Sequence, residues 1–438
     1  MNATFGPGSP PLTGEVHVPG DKSMSHRAVL FSAMAEGTTP LKGVLDSADV
    51  RATIGAVVNL GATAELEAQA DGSLAGTIHG WGNAAPLPWS GTIDCGNSGT
   101  TSRLLMGALA GWPAEVTLVG DESLSRRPMR RVTEPLSAMG ASYSLTGEGT
   151  LPAIIHGRAL IRPVAYASPV ASAQVKTAVL LAGLRAQGRT SVTEPTLSRD
   201  HTERMLPIFG VPVHVDAASR TASVDGPIVP KAPAEFVVPR DPSSAAFLTI
   251  AALLIPGSKV SMPGVSLNPT RSGFLRVVER MGSGLEVAPC PESEGESVGT
   301  IIACTAYSLS ATTVSAEEIP SLIDEVPILA LLATQAAGET RFEDVGELRV
   351  KESDRLAAII DGLTALGADA RAEGDTLIVA GPTPLHGATL ASLGDHRLAM
   401  TWAVAGLIAT EPVIVEGFEA IDVSYPGFAR DLEGLASA

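Results

Sequence analysis

The sequence predicts an α/β protein of two similar domains, each built from three βαβαββ units. Three observations carry this. A polar or glycine-rich loop, an apolar helix, a β-rich segment and a second helix recur six times, at a period of roughly 70–80 residues that suits a subdomain better than a solenoid turn. Five of the second helices close on a shared stop: Leu60-Gly61-Ala62, Met139-Gly140-Ala141, Phe209-Gly210-Val211, Met281-Gly282-Ser283 and Leu366-Gly367-Ala368. Glycine one residue past a helix is the usual left-handed C-terminal cap. Finally, a chain of 438 residues, 45% hydrophobic and 18% charged, is globular and too long for a single core.

The elements follow in order. First helices are predicted over Ser25–Ala35, Gly99–Ala110, Ala173–Ala186, Ser243–Leu254, Glu325–Ala337 and Asp395–Ala409. The loops before them read Gly20-Asp21-Lys22-Ser23, Gly96-Asn97-Ser98-Gly99, Ser172-Ala173-Gln174, Asp241-Pro242-Ser243-Ser244, Ile323-Asp324-Glu325 and Gly394-Asp395-His396-Arg397. Alternating stretches at Thr63–Leu66, Val213–Val215 and Thr376–Val379 read as strands. Glu67–Pro88, Val215–Ala234 and Cys290–Gly299 read as surface turns and a long hairpin loop. The sixth unit stops at Ala438 after its second helix, without a closing strand, and Gly14–Pro19 has the pattern to supply one. Both termini then fall in one domain, residues 1–20 plus 240–438, with 21–239 inserted and the active site expected in the cleft between them. A linear split without exchange of the first strand is the alternative.

Composition narrows the function classes. A net charge of −17 argues against a nucleic-acid partner or an anionic membrane surface. The longest apolar runs, Ala245–Pro256 and Val326–Ala337, are too short to span a bilayer. Met1–Thr13 has neither a secretory nor a transit pattern, so a cytoplasmic location is expected. Cys95, Cys290 and Cys304 are widely spaced, which fits a reducing compartment without structural zinc. The histidines lack metal-ligand spacing, and P-loop, GxGxxG, HExxH and GxSxG patterns are absent, so no cofactor and no metal are expected.

In an acidic chain, cations nevertheless gather in the loops that open the units. Lys22 and Arg27 open the first, with Ser23 or Ser25 expected to cap the helix. Arg103 and the Arg126–Arg131 run belong to the second, Lys176 and Arg199 to the third, Lys351 and Arg355 to the fifth, Arg397 to the sixth. Like charges four apart, as in Lys351/Arg355 and Arg127/Arg131, repel on a helix, and an anion between them explains the choice. The alternative is a solvated helix face. Ser172 and Gln174 bring a hydroxyl and an amide to a helix start, suited to a phosphate and a neighbouring hydroxyl. Gly99 lets backbone approach a ligand. Asp324, flanked by apolar residues, reads either as a helix cap or as a general base for a substrate hydroxyl. Glu352, beside Lys351 and Arg355, reads either as a surface acid or as a proton donor or acceptor tuned by cations.

Taken jointly, these motifs resemble the 3-phosphoshikimate 1-carboxyvinyltransferase family over the full length. They are Gly20–Ser23 with Arg27, Gly96–Thr100 with Arg103, Arg127-Pro128-Met129, Ser172–Lys176, Asp324-Glu325, Arg349–Arg355 and Asp395–Arg397. The resemblance implies the inside-out α/β barrel domains of enolpyruvyl transferases. It implies transfer of the enolpyruvyl group of phosphoenolpyruvate to the 5-hydroxyl of shikimate 3-phosphate by a monomer. Carried over, Lys22, Ser23, Arg27, Ser172, Gln174, Asp324 and Lys351 hold shikimate 3-phosphate. Lys22, Gly99, Arg127, Gln174, Arg355 and Arg397 hold phosphoenolpyruvate. Asp324, Glu352 and Lys22 are the catalytic residues. One branch of the family has a C-terminal lysine at the phosphoenolpyruvate site; it is missing from Asp422–Pro426, and the chain instead resembles the bacterial branch with Ser198–Arg204 and Asn268–Arg271. The competing readings are a transferase acting on UDP-N-acetylglucosamine, whose cysteine is missing from Gly120–Arg131, a non-catalytic anion binder, and an RNA-end-processing enzyme disfavoured by the acidic charge.

Overall fold

The computed structural model describes residues 1–437 apart from 85–89, 283 and 294. The twelve α-helices found among them alternate as the repeat requires. First helices are α1 (Lys22–Met34), α3 (Gly99–Ala110), α5 (Ala173–Gly183), α7 (Pro242–Leu254), α9 (Val326–Ala333) and α11 (His396–Ile408). Second helices are α2 (Ala48–Asn59), α4 (Arg130–Met139), α6 (His201–Ile208), α8 (Gly273–Arg280), α10 (Arg355–Ala365) and α12 (Phe428–Ala436). The five stop glycines Gly61, Gly140, Gly210, Gly282 and Gly367 all take positive φ, the conformation that favours glycine over a side chain.

The chain forms two compact units. One contains both termini: Met1–Pro19, Pro239–Glu292 and Ser297–Ala438. The other, the inserted unit, is Gly20–Val238 with Ser293–Glu296. Each has its own hydrophobic core. The first helices carry it. In α7 every residue from Pro242 to Leu253 is buried, and α9 is buried throughout. Such helices are apolar on all sides because they lie inside the layers rather than on them. Within their own units α7, α9 and α11 contact one another, as α1, α3 and α5 do in part, and the sheets form the outer layer. This is the inside-out α/β barrel arrangement. No helix among the described residues is long and apolar enough to cross a membrane.

Five sheets have four strands with one common order: a parallel edge strand, a central strand, and two antiparallel strands. The sixth has three. Its closing strand is Asn2–Phe5, antiparallel to Val413–Glu416, and not Gly14–Pro19 as the sequence pattern suggested. Thr13–Glu15 instead runs parallel to Lys259–Ser266 and edges the fourth unit's sheet. The reason is packing. Phe5 stacks its ring 5.1 Å from Phe418 and its backbone lies against Gly406 of α11, whereas Thr13–Glu15 has only a short edge to offer. The first unit's sheet takes its own parallel edge from Phe236–Val237, beside Leu41 and Lys42.

Three segments read as turns and loops contain strands. Ser73–His79 and Thr221–Gly226 are inner strands of their sheets, and Gly284–Ser293 with Glu296–Cys304 form a long hairpin through the region expected to be a loop. Part of the first segment, 85–89, lies outside the described residues.

Candidate active site

In the inserted unit the residues singled out by sequence gather at the starts of α1, α3 and α5. Asp21 caps α1, accepting from the Met24 amide at 2.8 Å. The expected caps were Ser23 or Ser25, but the helix starts at Lys22, which leaves Ser23 inside the first turn and frees the Ser25 hydroxyl to accept from the Leu45 amide at 2.9 Å. Lys22 opens the helix with its ammonium 2.5 Å from Asp49. Arg27, one turn on, is buried, and burial lowers its pKa to about 10. Its Nε donates to Thr202 Oγ1 at 2.9 Å, Nη2 to Thr177 Oγ1 at 2.8 Å and Nη1 to the Ser23 carbonyl at 3.0 Å. Arg199 donates to the Ser23 hydroxyl at 3.2 Å.

Threonines tie the helix starts together. The hydroxyl of Thr53 in α2 lies 2.7 Å from His26 Nδ1 and 2.6 Å from Thr101 Oγ1, and Thr101 is bonded to the α3 cap Ser98. Burial, then the charges of Lys22 and Arg27, push the His26 pKa well below its ordinary value, so this ring is neutral at pH 7. Gly99 is the first residue of α3, flanked by Arg103 and Arg127: a methyl added there would lie 3.1 Å from Arg103 Nη1 and 3.4 Å from Arg127 Nη1. Arg103 donates to Gln174 Oε1 at 2.6 Å, and Gln174 donates to Thr100 Oγ1 at 3.0 Å. Asn97 holds Arg127, with Oδ1 2.6 Å from Nη2, and is held in turn by Asp121. Ser172 caps α5.

Lys176 behaves differently from its neighbours. Counted from sequence among cations that face a ligand, it is buried, with Nζ 2.7 Å from both Glu194 and Glu203. Two internal carboxylates already neutralise it. The sequence reading gave no role to Glu194, Glu203, Thr177 or Thr202; for Thr202 and Glu203 the polar run Ser198–Arg204 was the available signal, since polar groups at a buried helix start need internal partners.

In the unit with both termini, Asp324, Lys351, Glu352, Arg355 and Arg397 form one cluster. Asp324 lies just before α9, whose cap position is Glu325 and carries no side-chain cap bond. The Asp324 carboxylate faces three cations: Arg355 Nη1 at 3.2 Å, Arg397 Nη2 at 3.5 Å and Lys351 Nζ at 3.6 Å. Arg397 also donates to the Asp324 carbonyl at 3.1 Å. Arg355 is 1% exposed. It binds Asp395 through Nε at 2.7 Å and Nη2 at 3.3 Å, and Glu352 through Nη2. Burial lowers its pKa, but Asp395, Glu352 and Asp324 outweigh burial and raise it above the ordinary value. The anion between Lys351 and Arg355 is thus supplied, in this structure, by the protein's own Asp324. Asp395, part of a motif in the sequence but given no role there, caps α11 while orienting Arg355. Glu352 keeps partial exposure, with 22% of its side chain accessible.

The arrangement is a set of fixed cations and helix starts for anions, with one carboxylate among three cations and a second beside them. Among the described residues no group of three or more His, Cys, Asp or Glu side chains is placed to hold a metal ion.

A fold of this kind, with helix cores wrapped by small mixed sheets and helix starts carrying the polar groups, is the fold of the enolpyruvyl transferases. NikO, an enolpyruvyl transferase from Streptomyces tendae, superposes over 99% of this chain and 96% of its own with a TM-score of 0.75 at 18% identity, which speaks for the fold alone. Closer likeness comes from EPSP synthase of Acinetobacter baumannii: TM-score 0.87, 38% identity, 99% of this chain and 98% of that one. The 3-phosphoshikimate 1-carboxyvinyltransferase of Bacillus velezensis is 45% identical over 426 residues, 97% of each chain. That of Acidiphilium cryptum is 46% identical over 429 residues, covering 98% and 95%. The profile of EPSP synthase (3-phosphoshikimate 1-carboxyvinyltransferase) matches residues 7–432, and the chain belongs to that family.

Proposed function

We propose that this chain transfers the enolpyruvyl group of phosphoenolpyruvate to the 5-hydroxyl of shikimate 3-phosphate, releasing phosphate, as the penultimate step toward chorismate. The observation that carries the reading is the family match over residues 7–432 in a chain that keeps Asp324 among three cations with Glu352 beside them.

The roles are those that the family resemblance implies, and the geometry supports them as follows. Ser23, Arg27, Ser172, Gln174, Asp324 and Lys351, with Arg199, hold shikimate 3-phosphate. Among the described residues, each terminal nitrogen of Arg27 has one acceptor, which leaves its second N–H for the ligand phosphate. Gly99, Arg127, Arg355 and Arg397 hold phosphoenolpyruvate, and Lys22 and Gln174 serve both substrates. Four of the five Arg355 N–H groups already have carboxylate acceptors, so the donor substrate takes the fifth or displaces Glu352.

Asp324 accepts the 5-hydroxyl proton as that oxygen attacks C2 of the enol. Glu352 or Lys22 protonates the methylene carbon, giving a tetrahedral intermediate. Loss of phosphate from C2, with return of a proton from the new methyl group, forms the enol ether. Fixed cations match the charge that builds on phosphate and carboxylate, and positioning of the two reactants supplies much of the remaining rate. The enzyme works as a monomer in the cytoplasm, with small molecules as its partners.

The test is phosphate release with phosphoenolpyruvate and either shikimate 3-phosphate or UDP-N-acetylglucosamine as acceptor. Release with the first alone is expected. Release with the sugar nucleotide alone would reassign the acceptor, and tight binding without turnover would reduce the protein to an anion binder.

A further inference from the structure

The motif Asn268-Pro269-Thr270-Arg271 has no part in the chemistry above, yet it ends in one of the largest fully buried side chains of the protein. Asn268, itself buried, makes the turn: its Oδ1 accepts from the Thr270 amide at 2.9 Å and the Thr270 hydroxyl at 2.8 Å, while its carbonyl accepts from the Arg271 amide at 2.8 Å. The turn aims the Arg271 guanidinium inward. There Nη2 reaches Asp241 Oδ1 at 3.0 Å and Ser243 Oγ at 2.6 Å, and Nη1 reaches Glu325 Oε1 at 3.2 Å.

These three acceptors belong to two helix starts. Asp241 is the cap of α7 and Ser243 its second residue; Glu325 is the cap position of α9. The third start joins through the same oxygen. Arg397, the second residue of α11, brings Nη1 to 3.8 Å from Glu325 Oε1. Glu325 is fully buried, and its Oε2 has no hydrogen-bond partner among the described residues. All its compensation therefore runs through Oε1, shared by Ser243, Arg271 and Arg397. Arg397 is shared too, since it also holds the carboxylate and carbonyl of Asp324.

We propose that Arg271 is a positioning residue for the enolpyruvyl donor site: by satisfying Glu325 it leaves Arg397 turned to Asp324 and to the incoming anion. A buried carboxylate keeps a cation by whatever route is open. With Arg271 removed, the ion pair left to Glu325 is Arg397, which closes on Glu325 and withdraws from Asp324. The inference rests on the proposed role of Arg397 toward phosphoenolpyruvate. It assigns Arg271 to that substrate before the acceptor, because the path from Arg271 through Glu325 Oε1 reaches Arg397, whereas Asp324, on the acceptor side, keeps Arg355 and Lys351 when Arg397 withdraws.

The experiment compares wild type, Arg271→Met, Arg271→Lys and Glu325→Gln, by steady-state phosphate release and by crystal structures. Arg271→Met is expected to raise KM for phosphoenolpyruvate tenfold or more with KM for the acceptor within twofold. Arg271→Lys restores a charge without the fork and recovers part of that loss. Glu325→Gln keeps Arg271 and removes the competitor, and shifts the donor KM at least threefold, again with the acceptor KM held. Should Arg271→Met fail to fold, Glu325→Gln decides. Folded variants with lower thermal stability but an unchanged donor KM would overturn the proposal. Absence of turnover in the wild type would sink the proposed function instead; in that case the crystal structures decide, and Arg397 unmoved in Arg271→Met overturns the positioning role regardless of activity.

Discussion

Asp324→Asn separates chemistry from scaffold. The amide keeps the size of the side chain and removes one charge from a cluster in which Arg355, Arg397 and Lys351 stand 3.2, 3.5 and 3.6 Å from the carboxylate. Breaking a fully buried ion pair usually costs about 3–5 kcal/mol because the partner is left bare. Here each partner keeps a second means of compensation. Arg355 retains Asp395 and Glu352, Arg397 retains Glu325, and the Lys351 side chain is 28% exposed to water. The stability loss is accordingly about 1–2 kcal/mol, or roughly 3–6 °C in Tm for units of this size. Loss of a general base lowers the rate by about 10²–10⁴. A thousandfold fall corresponds to about 4 kcal/mol of transition-state stabilisation, more than the folding change. The cluster also becomes one unit more positive, so anion binding is retained. The assay is phosphate release, with substrate affinity by calorimetry and Tm by scanning calorimetry. A variant that keeps more than about a tenth of wild-type kcat, or whose loss simply follows the unfolded fraction, would refute the role of Asp324 as base.

Three further outcomes are expected. Gly99→Ala places a methyl 3.1 Å from Arg103 Nη1, so this guanidinium, which holds Gln174, gives by a few tenths of an ångström, while Arg127 Nη1 at 3.4 Å stays in ordinary contact; weakening a charge-assisted hydrogen bond by about 1 kcal/mol raises KM for the donor roughly fivefold, measured by initial rates with the fold intact by circular dichroism. Lys176→Met strands two buried carboxylates and destabilises by about 3–5 kcal/mol at neutral pH. Burial already raises the Glu203 pKa against the opposing pull of Lys176, so without the lysine it rises further. A raised carboxylate stabilises the fold at pH below its unfolded value of 4.5 and loses that contribution as pH rises through its folded value, so the Tm deficit of the variant shrinks from pH 8 toward pH 5. Phe5→Ala removes the ring stacked on Phe418 and lowers stability by about 1–3 kcal/mol with both KM values unchanged, measured by urea unfolding and initial rates.

What could be read from sequence, and what could not, follows physical lines. Paired helices were legible because α1, α3, α5, α7, α9 and α11 each run into a long apolar stretch and because the stop glycines need positive φ. The strand exchange was not. Asn2–Phe5, Thr13–Glu15 and Phe236–Val237 are two to four residues long, too short to show a period, and their partners lie hundreds of residues away. Cation-rich loops announced anion chemistry, but not which cations the protein neutralises itself. Lys176 and Arg271 look like Arg127 or Lys351 in the sequence; only burial beside Glu194 and Glu203, or Asp241 and Glu325, sets them apart. Asp395 and Glu325 were hidden for a related reason, since a helix-start acid next to a motif reads as an ordinary cap.

The central claim is that the donor's C–O bond breaks, with a carbon fragment and not a phosphoryl group passing to the acceptor. It is tested most directly with phosphoenolpyruvate carrying heavy oxygen in the bridge between C2 and phosphorus, together with shikimate 3-phosphate. Addition to C2 and loss of phosphate sends the label out with the released phosphate and leaves the acceptor oxygen in the new enol ether. Label retained on a three-carbon product, with phosphate found on the acceptor, would mean cleavage at phosphorus and would contradict the proposed transfer.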